Sequence, residues 1–295
     1  MLELEDVTRS FGATRALAGV SFTVERGRMT GFVGANGAGK TTAMRIILGV
    51  LTPDAGQVRF DGGELDAAQR RRFGYMPEER GLYPKMRVAE HIVYLAQLHG
   101  MTHADATRNT TRLLERLGLA ERANTTVESL SLGNQQRAQI AAALVHDPDV
   151  LVLDEPFSGL DPLAVEVVQA VLKEHAAGGA CVLFSSHQLD IVERLCDDLV
   201  VIAGGVIRAS GSRQALQSAH AQSQYELAAP GSAQWLPAIA GITVLDADGT
   251  DQVRFHAENP DAAQAVLHEA LARGPVLRFA PQEASLAQVF REVIQ

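Results

Sequence analysis

A chain of 295 residues is long enough for one large domain with a smaller companion and too long for one small module. Apolar residues make up 46% and charged residues 21%, an ordinary globular balance that excludes wholesale disorder and a fibrous repeat. With 26 basic against 35 acidic residues the net charge is −9, so the surface as a whole repels nucleic acid and anionic lipid.

Apolar runs at 2–7, 16–24 and 28–33 predict strands, and the last runs into a glycine-rich segment at Gly34. A helix is predicted over 40–48. LTPDAG at 51–56 has turn chemistry, QVRFDG resumes a strand, and RFGYMP at 72–77 reads as a short strand stopped by proline. Helical patterns fill 88–119 and 131–146. VLVL at 150–153 is a continuous apolar run of the kind buried on both faces of a parallel sheet. A helix from Pro162, a strand at 180–186, a helix at 188–195 and strands near 198–209 follow. Strands alternating with helices give an α/β fold with a largely parallel sheet.

The composition shifts after Gly211, because the region from His220 onward has no lysine, four arginines and nine acidic residues. A boundary is expected within 211–222, dividing the chain into a domain at 1–212 and a small α+β domain at 220–295. The second is predicted to run strand, strand, helix (260–271), strand, helix (285–293).

Cys181 and Cys196 form no C-x-x-C pair and have no histidine at ligand spacing, which points to a reducing cytosol rather than a disulfide or zinc framework. No stretch reaches 18 consecutive apolar residues, and MLELEDVTRSFG lacks the regions of a signal peptide. If the protein works at a membrane, another chain is expected to cross it.

GANGAGKTT at 34–42 matches G-x-x-x-x-G-K-[ST] and lies between a predicted strand and a predicted helix. Glycines at 34, 37 and 39 let the backbone curl so that its N–H groups point at phosphate oxygens, and the helix start adds positive potential. Lys40 is one of only three lysines, with Lys85 and Lys173, and it is placed to reach the β and γ phosphates. Thr41 offers a hydroxyl to Mg²⁺. Asp154 and Glu155 follow the apolar run at 150–153, at the carboxyl edge of the sheet beside this loop. Asp154 is placed to hold Mg²⁺ through water and Glu155 to polarise a water for attack on the γ phosphate.

With these motifs in place the chain resembles the ATP-binding subunit of ABC transporters over about residues 1–210. The loop at 34–42 is similar to Walker A and 150–155 to Walker B; LSLGNQQRAQ at 130–139 resembles the signature, SGLD at 158–161 the D-loop, and His187 the switch histidine. The resemblance implies a P-loop NTPase core with a helical subdomain at about 85–148. It implies ATP and Mg²⁺, with nucleotide contacts from Phe11, Asn36, Gly37, Ala38, Gly39, Lys40, Thr41, Thr42, Glu78, Ser131, Gly133, Asn134 and Asp161. Metal contacts fall to Thr41, Asp154 and Glu78, and catalysis to Glu155, His187 and Lys40. Two subunits, identical or homologous, pair head to tail so that each signature helix meets the nucleotide held by the other. Power passes to a separate transmembrane permease, giving a cytoplasmic protein held at the inner face of the cell membrane through that partner, with no nucleic-acid role. PEERGLYP at 77–84 and SLAQVF in the tail resemble ATPases of drug-resistance and sodium-efflux exporters.

Taken singly, several of these residues have plainer readings. Ser131 and the pair Asp161–Pro162 suit ordinary helix starts, His187 a satisfied core histidine, Phe11 a core position, and 81–86 a surface loop. Relative to the family pattern, Ala35, Leu132 and Asn134 stand where Pro, Gly and Gln are common, and Glu78 stands at the Q-loop glutamine. A carboxylate there adds repulsion toward phosphate unless a metal offsets it. Two other readings stay open: a soluble ABC ATPase acting on the ribosome or DNA, and an ATP-dependent regulatory module. The run at 70–72 reads as a solvated face, His91, His99 and His103 lack a carboxylate cage, Asp197 and Asp198 read as turn acids, and Trp235 as a packing anchor.

Overall fold

The computed structural model describes residues 1–79, 81–220 and 224–282, with Leu286, Phe290 and Val293, and it divides into two compact units, Met1–Arg213 and Gln214–Val293. In the first unit Leu2–Phe11 (β1) and Thr14–Val24 (β2) pair antiparallel. Met29–Val33 (β3) leads through a glycine loop into Lys40–Ile47 (α1), and Ala55–Phe60 (β4) then returns along the other side of β1 with Gly63–Glu64 (β5) at its edge. Asp66 starts Ala67–Arg70 (α2) with a reciprocal cap, accepting from the Gln69 N–H at 2.7 Å while the Gln69 side chain accepts from the Asp66 N–H at 3.0 Å. Phe73–Met76 (β6) follows.

The helical stretch expected over 88–119 is two helices, Val88–Leu98 (α3) and His103–Arg116 (α4). Gly100, at φ +91, breaks the pattern, and Thr102 restarts it by accepting from the Asp105 N–H at 3.1 Å. Both pack with Leu132–Leu144 (α5). Val150–Leu153 (β7), Pro162–Ala177 (α6), Cys181–Ser186 (β8), Leu189–Leu195 (α7), Asp198–Ala203 (β9) and Val206–Ser212 (β10) complete the unit.

The second sheet of this unit runs β10-β9-β3-β8-β7-β6, parallel throughout except for the β10–β9 pair. Every residue of β3, β7 and β8 is buried, which is why β7 reads as an unbroken apolar run rather than an alternating one, while β3 carries Thr30 and β8 ends in Ser185 and Ser186. Met44, Ile46 and Ile47 of α1 lie in one core with Leu4, Val20 and Phe60 of the first sheet and Phe32, Val152 and Leu183 of the second. Burying a side chain such as Phe32 contributes roughly 1.5–3 kcal/mol. Asp197 and Asp198 are more than turn acids: Asp197 accepts from the Met29 N–H at 2.9 Å, and Asp198 pairs with Arg28 at 2.5 Å, tying β9 to the start of β3.

Parallel register then sets the chemistry. Val33 lies opposite Ser186 and Leu153 opposite Phe184, so the segments leaving β3, β7 and β8 emerge side by side at one carboxyl edge.

Arg213–His220 (α8) begins at the division. Beyond it, Gln224–Ala228 (β11), Ser232–Trp235 (α9), Ile242–Asp248 (β12), Gln252–Ala257 (β13), Pro260–Arg273 (α10) and Arg278–Pro281 (β14) build an antiparallel sheet in the order β12-β13-β11-β14. Three strands precede the long helix where two were expected. Of the three, β12 lies at the sheet edge with mostly exposed residues. Asn259 caps α10 by accepting from the Ala262 N–H at 2.9 Å, with Pro260 in the first turn. Leu227, Val253 and Phe255 pack with Ala263, Val266 and Ala270 of that helix. Apart from Leu286, Phe290 and Val293, the helix predicted at 285–293 lies outside the described residues. Among the described residues no helix is long and apolar enough to cross a membrane.

Candidate functional site

Two glycines set the shape of the loop between β3 and α1. A Cβ on Gly34 would lie 2.4 Å from the Ile202 carbonyl, and one on Gly39, at φ +111, 2.7 Å from the Ala16 carbonyl, so neither position has room for a side chain. The helix beginning at Lys40 directs its first N–H groups toward this loop, as an anion site requires. Lys40 is 7% exposed and arches back over the loop, its Nζ donating to the Gly34 carbonyl at 2.6 Å and the Ala35 carbonyl at 3.2 Å.

The end of β7 brings carboxylates to the same place. Asp154, 2% exposed, accepts from Thr41 Oγ1 at 3.0 Å on one oxygen and from Ser185 Oγ at 2.5 Å on the other. Glu155 has φ +51, a left-handed conformation that costs an ordinary residue about 1–2 kcal/mol. Its N–H donates to Ser185 Oγ at 2.8 Å, its carbonyl accepts from Gln136 Nε2 at 3.0 Å, and its carboxylate meets His187 Nδ1 at 2.9 Å. The His187 ring is more than half exposed, so this pair spans from the sheet edge to solvent.

Lys40, Thr41, Asp154, Glu155 and His187 line one open cavity of about 560 Å³, within the range of small-ligand sites. Asn36, Gly37, Gly39, Lys40, Thr41, Thr42, Glu78, Asp154, Glu155 and His187 all face it, joined by Ala16. Burial, then the charge of Asp154, pushes the neighbouring Tyr75 phenol up, with Glu78 adding to the same effect. The oxygens of Thr41 and Asp154 suit a hard cation. Among the described residues no group of three or more His, Cys, Asp or Glu is placed to hold a metal ion by itself.

Six residues singled out in the sequence lie off this wall. Ala38 is buried within the loop, bonded to the Ala35 carbonyl and to the Gly205 N–H at 3.1 Å each. Phe11 ends β1 half exposed, with the Arg9 guanidinium 5.1 Å from its ring. Ser131 caps α5, Asn134 bonds Arg137, and Asp161 caps α6 by accepting from the Ala164 N–H at 2.9 Å. A Cβ on Gly133 would lie 3.3 Å from the Gly159 carbonyl, so the α5 tip and the 158–161 segment run side by side. Ala16, Gln136 and Ser185 were not singled out. The serine pair before His187 at the end of a strand was the one local signal for Ser185.

A family model described as ABC transporter matches residues 17–158. YhaQ of Bacillus subtilis (strain 168), an uncharacterised ABC transporter ATP-binding protein, is 35% identical over 294 residues, spanning 100% of this chain and 98% of its own length. The chain belongs to the ATP-binding proteins of ABC transporters. Its second unit is matched over residues 211–294 by a model described as the C-terminal domain of DrrA1-3-like ATP-binding proteins. The linearmycin resistance ATP-binding protein LnrL of the same bacterium is 34% identical over 221 residues, 74% of this chain and 71% of that protein. A solved ATP-binding subunit of an ABC transporter superposes with a TM-score of 0.69 at 34% identity, covering 74% of this chain and 92% of the other. This ABC subunit therefore binds ATP and is an ATPase.

Proposed function

We propose that this subunit powers export through a separate membrane-spanning permease, two ATP-binding subunits closing head to tail around two ATP molecules. The observation that carries the reading is the convergence of Lys40, Thr41, Asp154, Glu155 and His187 on one cavity while Ser131 caps a helix away from it. The resistance function in the name of LnrL supports export. In this reading the subunit is held at the cytoplasmic face by its partner.

The loop N–H groups and Lys40 hold the β and γ phosphates; Asn36, Gly37, Ala38, Gly39 and Thr42 shape that cradle. Thr41 and Asp154 hold Mg²⁺, with Glu78 at the same wall. Bound there, the ion supplies positive charge that offsets the charge of the phosphates. Glu155 takes a proton from water as its oxygen bonds to the γ phosphorus; the bond to the bridging oxygen breaks, and ADP and phosphate leave. His187 orients the carboxylate from 2.9 Å and faces the γ phosphate. Phe11 stacks on adenine. Ser131, Gly133 and Asn134 of a second copy cap the γ phosphate with the N-terminus of α5, and Asp161 beside them faces the same interface. ATP drives closure because it binds the closed pair more tightly than the open one.

The test is sedimentation of Glu155→Gln with MgATP. A stable dimer is expected, and it should disappear when Ser131→Arg is added. A Glu155→Gln protein that stays monomeric with ATP contradicts the paired reading. Recovery of the subunit with a multispanning protein from detergent-extracted membranes checks the permease, and recovery with ribosomes instead contradicts it.

A further inference from the structure

We propose that Ser185 and Gln136 are positioning residues of the hydrolytic centre, which together clamp the Glu155 peptide and so aim its carboxylate into the cavity. The proposal rests on the reading of Glu155 as general base.

Ser185 lies on β8 with no exposed surface. Its hydroxyl has one proton to give, and the surroundings decide where it goes. The oxygen accepts the Glu155 N–H at 2.8 Å, so the proton is directed to Asp154 Oδ1 at 2.5 Å. One buried atom thereby fixes two consecutive residues at the end of β7. With Oδ1 occupied, Asp154 turns Oδ2 toward Thr41 Oγ1 at 3.0 Å.

The φ of +51 at Glu155 persists only where the surroundings impose it. Ser185 holds the N–H side. Gln136, 5% exposed on α5, holds the other, donating to the Glu155 carbonyl at 3.0 Å and the Pro156 carbonyl at 3.1 Å. Relaxation of this residue toward negative φ swings its Cα–Cβ bond and carries the carboxylate away from His187. Neither clamp residue belongs to the cavity wall, so each acts through Glu155, and Ser185 through Asp154 as well. Misplacing a reacting group by about 1 Å lowers rates by roughly 10²-fold.

The test measures nucleotide affinity with a fluorescent ATP analogue and phosphate release at saturating MgATP on the purified subunit. Ser185→Ala is expected to keep affinity within about threefold while kcat falls at least about tenfold. On a Glu155→Gln background Gln136→Ala, which holds Glu155 and makes no bond to Asp154, should cost no further rate, because the group it positions is already disabled. Gln136→Ala should give the same split without touching Asp154, and it answers the question if Ser185→Ala does not fold. A kcat within twofold of the parent, an affinity that falls as far as kcat, or a Gln136→Ala loss that multiplies in full on Glu155→Gln overturns the proposal. Parental turnover by Glu155→Gln alone marks failure of the general-base reading and takes the proposal with it. Full activity of Ser185→Ala beside an inactive Glu155→Gln overturns the proposal alone.

Discussion

Lys40, Asp154 and Glu155 are the buried Lys, Arg, Asp and Glu among the described residues, and all three belong to the first unit. In the second unit the pairs Arg254–Asp246 and Arg273–Glu269 stand about half exposed, where ion pairs add little. Its interior is instead apolar and aromatic, with Tyr225, Phe255 and Phe279 in mutual contact, the Tyr225 ring 5.5 Å from Phe255 and 5.4 Å from Phe279 and those two 6.4 Å apart. Burying a charge is costly unless it is paired and hydrogen-bonded, so a fold keeps such groups where chemistry requires them. The contrast separates a unit built around a reaction from a unit built around packing.

The contrast breaks most readily at Lys40. Lys40→Ala should reduce phosphate release to background and abolish nucleotide binding, measured with a fluorescent ATP analogue; retention of both would place the chemistry elsewhere. In the second unit, Phe255→Ala should cost roughly 3–5 kcal/mol of stability through the cavity it leaves, seen in denaturant melts, with ATP affinity unchanged. A loss of affinity without a loss of stability would contradict the division of labour.

A smaller effect comes from acid. Burial, and then the charge of His99 stacked 3.7 Å away, lowers His146 to about 4, while its Nε2 donates to the Phe73 carbonyl; His175 and Asp147 are its other ionisable neighbours. The folded state binds this proton less readily than the unfolded chain, whose histidines titrate near 6.5. Its stabilisation is therefore complete above about pH 6.5 and is lost as pH falls toward 4, on the order of 3 kcal/mol. His146→Gln should flatten that part of the stability profile, and an unchanged slope would assign acid sensitivity to other groups.

Much of the cavity was legible because its residues are contiguous in the chain. The loop at 34–42 carries glycine spacing, lysine and threonine in nine residues, and Asp154 and Glu155 announce themselves by following VLVL. The clamp was not legible. Ser185 reaches Glu155 only because Leu153 lies opposite Phe184 across β7 and β8, and Gln136 only because α5 packs behind the strand end. Register and helix packing are non-local, and no motif spells them. The split of the stretch at 88–119, by contrast, was written locally in Gly100 and Thr102.

The central claim, that each ATP is held by the glycine loop of one copy and the α5 tip of the other, is tested most directly by mixing two inactive variants. Lys40→Ala disables a loop and Ser131→Arg a tip. In a mixed pair one of the two shared sites combines an intact loop with an intact tip. The account predicts that the mixture recovers ATP hydrolysis absent from either variant alone. A mixture as inactive as its parts, in which mixed pairs form, would contradict it.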